Sequence, residues 1–123
     1  MPRIQKARVD LAALNETLEF VRDIKNWLFT FSQECDIADE AKAKLHEKID
    51  ELAQKIAHIQ PKAGHIEIDA SLVREAENAL RDLKNWLYTF SELYDLATEA
   101  RETLHQKFDE LSKKIAHIEV KAV

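Results

Sequence analysis

The sequence predicts an all-α protein, an antiparallel helical bundle or coiled coil built from a tandem duplication. Three observations predict it. First, the chain is almost without punctuation: its 123 residues include one glycine and two prolines, where average usage would give glycine alone near 7%. Sandwiches, barrels and glycine-rich phosphate-binding folds need turn residues about every 8–12 positions. With 46% hydrophobic and 33% charged residues, the composition is not that of a disordered chain either.

Second, the chain repeats itself. A shift of 59 residues lays the run Arg22–Ser32 on Arg81–Ser91 and the run Lys55–Ile59 on Lys114–Ile118, and from Val21 to Ile59 it leaves 24 of 39 positions identical without a gap. Pro2 falls on Pro61 and Asp10 on Asp69. Residues 2–60 and 61–119 are therefore two copies of one unit within a single domain, 1–123, and pseudo-two-fold symmetry is expected. The sequence does not say whether the duplication is natural or engineered.

Third, the apolar positions within each unit alternate in threes and fours. The first seam runs Val21, Ile24, Leu28, Phe31, Cys35, Ala38, Lys42, Leu45, Ile49, Leu52, Ile56, Ile59, and the second runs Leu80, Leu83, Leu87, Phe90, Tyr94, Ala97, Arg101, Leu104, Phe108, Leu111, Ile115, Ile118. A sustained period of 3.5 marks helices that wrap around partners.

Element by element, Asp10 and Asp69 stand where helix N-caps belong, with carboxylates able to accept the orphan amide protons of a first turn. His58 and His117 stand in the last turn, where a partial positive charge suits the helix dipole. Between these limits each unit reads as one helix of about 50 residues, because neither glycine, proline nor a phase slip interrupts it. The alternative is a helical hairpin per unit, with Thr30-x-x-Gln33 and Thr89-x-x-Glu92 as capping boxes, giving a compact monomeric four-helix bundle. In the favoured long-helix form, the antiparallel register sets Leu28 opposite Leu104 and Leu45 opposite Leu87. Phe20, Trp27, Trp86 and Leu93 then widen the apolar face beyond one seam, and two chains dimerise into a four-helix cross-section. The segments Arg3–Val9, His65–Ile68 and Ile118–Val123 alternate loosely with period two and read as short strands, available for edge-to-edge pairing between molecules. In the rod the first and third lie at one end and the second at the other.

Charge and motifs narrow the function. The formal net charge of −5 is spread evenly over the two copies, so there is no basic stripe for nucleic acid and none for an anionic membrane. No apolar run reaches the 18 or so residues of a membrane span, the start of the chain lacks a secretory h-region, and a cytoplasmic location is expected. Cys35 alone cannot form an intrachain disulfide, and it reads as a small core residue.

His46 and His105 occupy equivalent positions beside the seam. They would serve a bis-histidine haem- or metal-binding bundle or, singly, a histidine phosphotransfer module; the simpler reading is two histidines flanking the core. Glu102-x-x-His105 has the spacing of a di-iron half-site, but the residue equivalent to Glu102 is Ala43, so no metal site is expected. Lys42 and Arg101 interrupt the seam with a cation in both copies, a device that fixes register and partner number. Trp27 and Trp86 face Lys107 and Lys48 in the antiparallel register, which permits cation–π contacts, although widening of the core is the simpler role. The expectation is a non-enzymatic structural or interaction protein without cofactor. It would self-associate, as a dimer by preference, or scaffold partners through Phe20, Trp27, Trp86 and Leu93, with Lys42 and Arg101 setting register.

Overall fold

A computed structural model describes residues 6–61 and 67–120. Among them the order of elements is β1 (Lys6–Val9), α1 (Leu11–Glu34), α2 (Asp39–Ala57), β2 (Glu67–Asp69), α3 (Ala70–Leu93), α4 (Thr98–Ala116) and β3 (Glu119–Val120). The helices correspond in pairs, 24 residues in α1 and α3 and 19 in α2 and α4. Each packs on two neighbours, α1 on α2 and α4, and α3 on α2 and α4. No helix among the described residues is long and apolar enough to cross a membrane.

The two predicted N-caps are in place. The Asp10 carboxylate accepts from the Ala13 amide at 3.1 Å and Asp69 accepts from Ser71 at 3.0 Å. Each frees one first-turn donor from an unsatisfied end, a contribution of about 1 kcal/mol.

The single long helix per unit is overturned: each unit is a hairpin. The break falls at Cys35–Ala38 and again at Tyr94–Ala97, several residues beyond the proposed capping boxes, which lie inside α1 and α3. What ends the helix is an aspartate in the left-handed region, φ 49° at Asp36 and 50° at Asp95. The Asp36 amide then donates to the Gln33 carbonyl and the Ile37 amide to the Ser32 carbonyl, with the same pair of bonds at Asp95 and Leu96. These bonds satisfy carbonyls that a helix end otherwise leaves open, and the motif ordinarily uses glycine. Aspartate is one of the few other residues that visits this region, so the absence of glycine concealed the turn.

The turn also resets the seam. Ile37 is buried, whereas Cys35 and Ala38 are exposed, so Cys35 is not the small core residue its spacing suggested. In α2 and α4 the core position is taken by Ala41 and Ala100, leaving Lys42 and Arg101 half-buried beside it.

Elsewhere the periodicity holds. Leu28, Leu45, Ile56, Leu87, Leu104 and Phe108 are all fully buried, and at about 25 cal/mol per Å2 such side chains supply most of the drive to fold. The antiparallel register predicted between units is seen between α1 and α4 and between α2 and α3. Lys107 lies over the Trp27 ring at 5.2 Å and Lys48 over the Trp86 ring at 5.5 Å.

The three short strands form at the predicted edges, though Arg3, His65 and the residues after 120 lie outside the described part. They do not divide between two ends. Folding each unit back brings all three together in one antiparallel sheet of order β2-β1-β3, with Ala7 paired to Ile68 and Arg8 to Val120. The sheet closes that end of the bundle with Ala7, Val9 and Ile68 turned inward. The Asp10 amide donates to the Ile118 carbonyl at 2.8 Å, tying the start of α1 to the end of α4.

Candidate functional site

Each hairpin carries the same groove on its outer side. In the first, Lys25 of α1 pairs with Asp50 of α2 at 2.6 Å, and one turn further along each helix the Phe29 ring stacks on His46 at 4.7 Å. The second repeats this with Lys84 to Asp109 at 2.6 Å and Tyr88 on His105 at 4.6 Å. Steps of four residues forward on one helix and four back on the other are what antiparallel packing requires.

Beyond the ion pair the facing residues become small, Ala53 and Ala57 in one copy and Ser112 and Ala116 in the other. Each hairpin therefore has an open cleft there. That on α1·α2 encloses about 620 Å3 and is lined by Leu18, Val21, Arg22, Asn26 and Gln54 among others. That on α3·α4 encloses about 340 Å3, with Leu80, Arg81, Asn85 and Tyr88 on its walls.

The two copies differ in an informative way. Most buried positions recur unchanged, such as Leu28, Phe31, Leu45 and Ile56, and others exchange one apolar type for another, Ile24 to Leu83 and Ile49 to Phe108; Arg22, Asp23 and Asn26, all exposed, also reappear unchanged as Arg81, Asp82 and Asn85. A core tolerates apolar exchange if volume is kept, whereas an exposed polar side chain has no packing reason to stay the same. Phe29 and Tyr88 are 57% and 61% exposed, so an aromatic ring stands in water at the same place twice. Sequence reading passed over Lys25, Asn26, Phe29 and Asp50 and their equivalents because it followed the seam and the histidines. The signal was there, as identity between the copies at positions off the seam.

The sequence-predicted residues are dispersed. His46 and His105 each face the aromatic ring of their own hairpin, on α2 and α4, which do not neighbour one another; the fold does not bring them together. The Nε2 atom of each is buried and makes no hydrogen bond to the protein. No group of three or more His, Cys, Asp or Glu side chains that could hold a metal ion occurs among the described residues. Phe20, Trp27 and Trp86 are half-buried where α1 meets α4 and α3 meets α2, with Lys114, Lys107 and Lys48 respectively over their rings. Leu93 stands 68% exposed at the end of α3. Lys42 lies 3.8 Å from Asp39, and the Arg101 Nε atom is buried. His58 and His117 are the C-cap residues of α2 and α4.

The groove's lysines are engaged by carboxylates. Partial burial, reinforced by Glu34 and Glu99, raises the pKa of the Cys35 thiol, which makes it a poor nucleophile at neutral pH. Burial lowers the pKa of His46 below its ordinary 6.5, with Lys25 and Lys42 acting in the same direction and Asp50 opposing.

The sign of the linkage follows. The folded state holds His46 neutral more strongly than the unfolded chain does, so its contribution is fully present above about pH 6.5 and is lost as pH falls towards the depressed value. Urea midpoints of the wild-type chain are expected to drop between pH 7.5 and pH 5, and His46→Gln should make that drop smaller. An NMR titration placing the His46 pKa above 6.5 would contradict this.

No family model, no curated protein and no solved structure matches the chain.

Proposed function

We propose that this chain is a non-enzymatic structural protein, the product of a tandem duplication, whose role is to associate with further copies of itself. The observation that carries the reading is the repeated outer face, Arg22, Asn26 and Phe29 in one hairpin and Arg81, Asn85 and Tyr88 in the other. In both copies an exposed ring sits beside the same exposed polar groups. The occupant is a second copy because each face carries both signs of charge: Arg22 with Asp50 line the first groove, and Arg81 stands beside the Lys84–Asp109 pair in the second. A two-fold pairing of like faces sets each guanidinium against the other copy's aspartate and ring against ring.

Two such faces on one molecule allow growth beyond a pair, whereas a molecule with one face stops at the dimer. In sedimentation velocity the wild-type chain is expected to show rapidly reversible association that continues past the dimer as concentration rises. Phe29→Ser alone, or Tyr88→Ser alone, should stop at the dimer, and the double variant should lose the rapid association with its helical circular dichroism unchanged. A wild-type chain that stays monomeric up to roughly 1 mM, the level that still reveals an interaction of about 4 kcal/mol, would overturn the proposal. So would a double variant that associates as rapidly and as far as the wild type.

A further inference from the structure

The two hairpin turns lead beyond the self-association argued above, by a route that does not use the Phe29 and Tyr88 faces. Each turn is short, Cys35–Ala38 and Tyr94–Ala97, and each depends on an aspartate at positive φ, a conformation that costs any residue with a Cβ more than it costs glycine. Across each turn the three-and-four alternation of the sequence runs on without a break, from Phe31 through Cys35, Ala38 and Lys42 to Leu45 and likewise from Phe90 to Leu104. The same residues can therefore continue α1 into α2, and α3 into α4, as unbroken helices.

We infer that two copies of this chain exchange halves: both turns straighten, and the α2–α3 half of each copy packs on the α1 and α4 of the other. The contacts permit it. α1 with α4 and α2 with α3 stay paired inside one chain, keeping Lys107 over Trp27 and Lys48 over Trp86. The α1·α2 and α3·α4 contacts, Lys25 to Asp50 and Lys84 to Asp109 included, are remade between chains.

The sheet obeys the same rule. β1 and β3 remain neighbours in their own chain, and β2, the strand carried with the exchanged half, is supplied by the other copy, restoring the order β2-β1-β3. What the closed monomer gains over the exchanged dimer is burial of Ile37 in its turn; what it loses is held in Asp36 and Asp95. These oppose each other, so the balance is set locally and concentration decides it. Exchange requires the hairpins to open, so it is slow, unlike association through an exposed face.

The test is a pair of crosslinks in the full chain with Cys35→Ser. Lys25→Cys with Asp50→Cys bridges α1 and α2, while Glu16→Cys with Lys113→Cys bridges α1 and α4 across the cleft they share. After refolding at high concentration, size exclusion is expected to yield a dimer that reverts slowly on dilution. In that fraction a short bismaleimide should join two chains through positions 25 and 50 but only one chain through 16 and 113. In the monomer fraction both pairs should link within one chain.

Asp36→Gly and Asp95→Gly relieve the left-handed positions and should each lower the dimer-to-monomer ratio about tenfold per turn relieved. Asp36→Ala with Asp95→Ala should raise it. A dimer whose 25–50 crosslink stays within one chain would overturn the exchange while leaving association through the outer faces intact. The absence of any slowly reverting dimer, even for the double alanine variant, would overturn it as well.

Discussion

Phe108→Ala is expected to lower the stability of the bundle by about 3–5 kcal/mol, among the largest effects of any single truncation in the chain. Phe108 is fully buried in α4, and its removal takes away both the transfer free energy of a benzyl group and the contacts of the atoms around it, which close the space only in part. In urea, with a slope of about 1–3 kcal/mol per molar, the midpoint should move by more than 1 M. Phe108→Ile installs the residue that the other copy carries at Ile49 and leaves a smaller void, so it should cost clearly less. If alanine and isoleucine cost the same, the site collapses freely and this account of the core fails.

Trp27→Ala should cost about 2–4 kcal/mol, somewhat less than a fully buried aromatic because the indole is half-buried. Two contacts accompany the lost area. The ring's centroid lies 4.6 Å from that of Phe31, and the Lys107 ammonium sits over the Trp27 ring at 5.2 Å. A double-mutant cycle with Trp27→Phe and Lys107→Met isolates the second, for which a coupling of about 0.5–1 kcal/mol is expected. Coupling indistinguishable from zero would reduce Trp27 to a filler of the α1·α4 junction.

Much of the fold was legible because the signals were local or periodic. Asp10 and Asp69 announced helix starts, the alternation from Val21 to Phe31 and from Leu45 to Ile56 located the buried stripes, and the antiparallel register anticipated Lys107 over Trp27. A break in each unit was legible only as the hairpin alternative at Thr30 and Thr89; its place at Asp36 and Asp95 was not, because an aspartate at positive φ leaves no mark in spacing. Nor could the destination of the strands be read. Ala7 carries no mark that it pairs with Ile68 in its own chain, since pairing follows from the way the helices fold back.

The outer groove was half legible. His46 was noticed, but Phe29 and Lys25 acquire meaning only when α1 and α2 lie side by side, and no spacing within one helix reports that. The one trace left in the sequence was identity between the copies at exposed positions such as Asn26 and Asn85.

The sheet has a consequence for connectivity. Arg8 and Val120 are strand partners, and Ala7 pairs with Ile68, so the first and last described strands lie side by side, at the end where the second repeat's β2 also sits. Topologically the described residues trace two similar arcs, opened at this end between Arg8 and Val120. Joined at the present opening and cut between the repeats instead, the polypeptide would run second copy first and trace the same bundle.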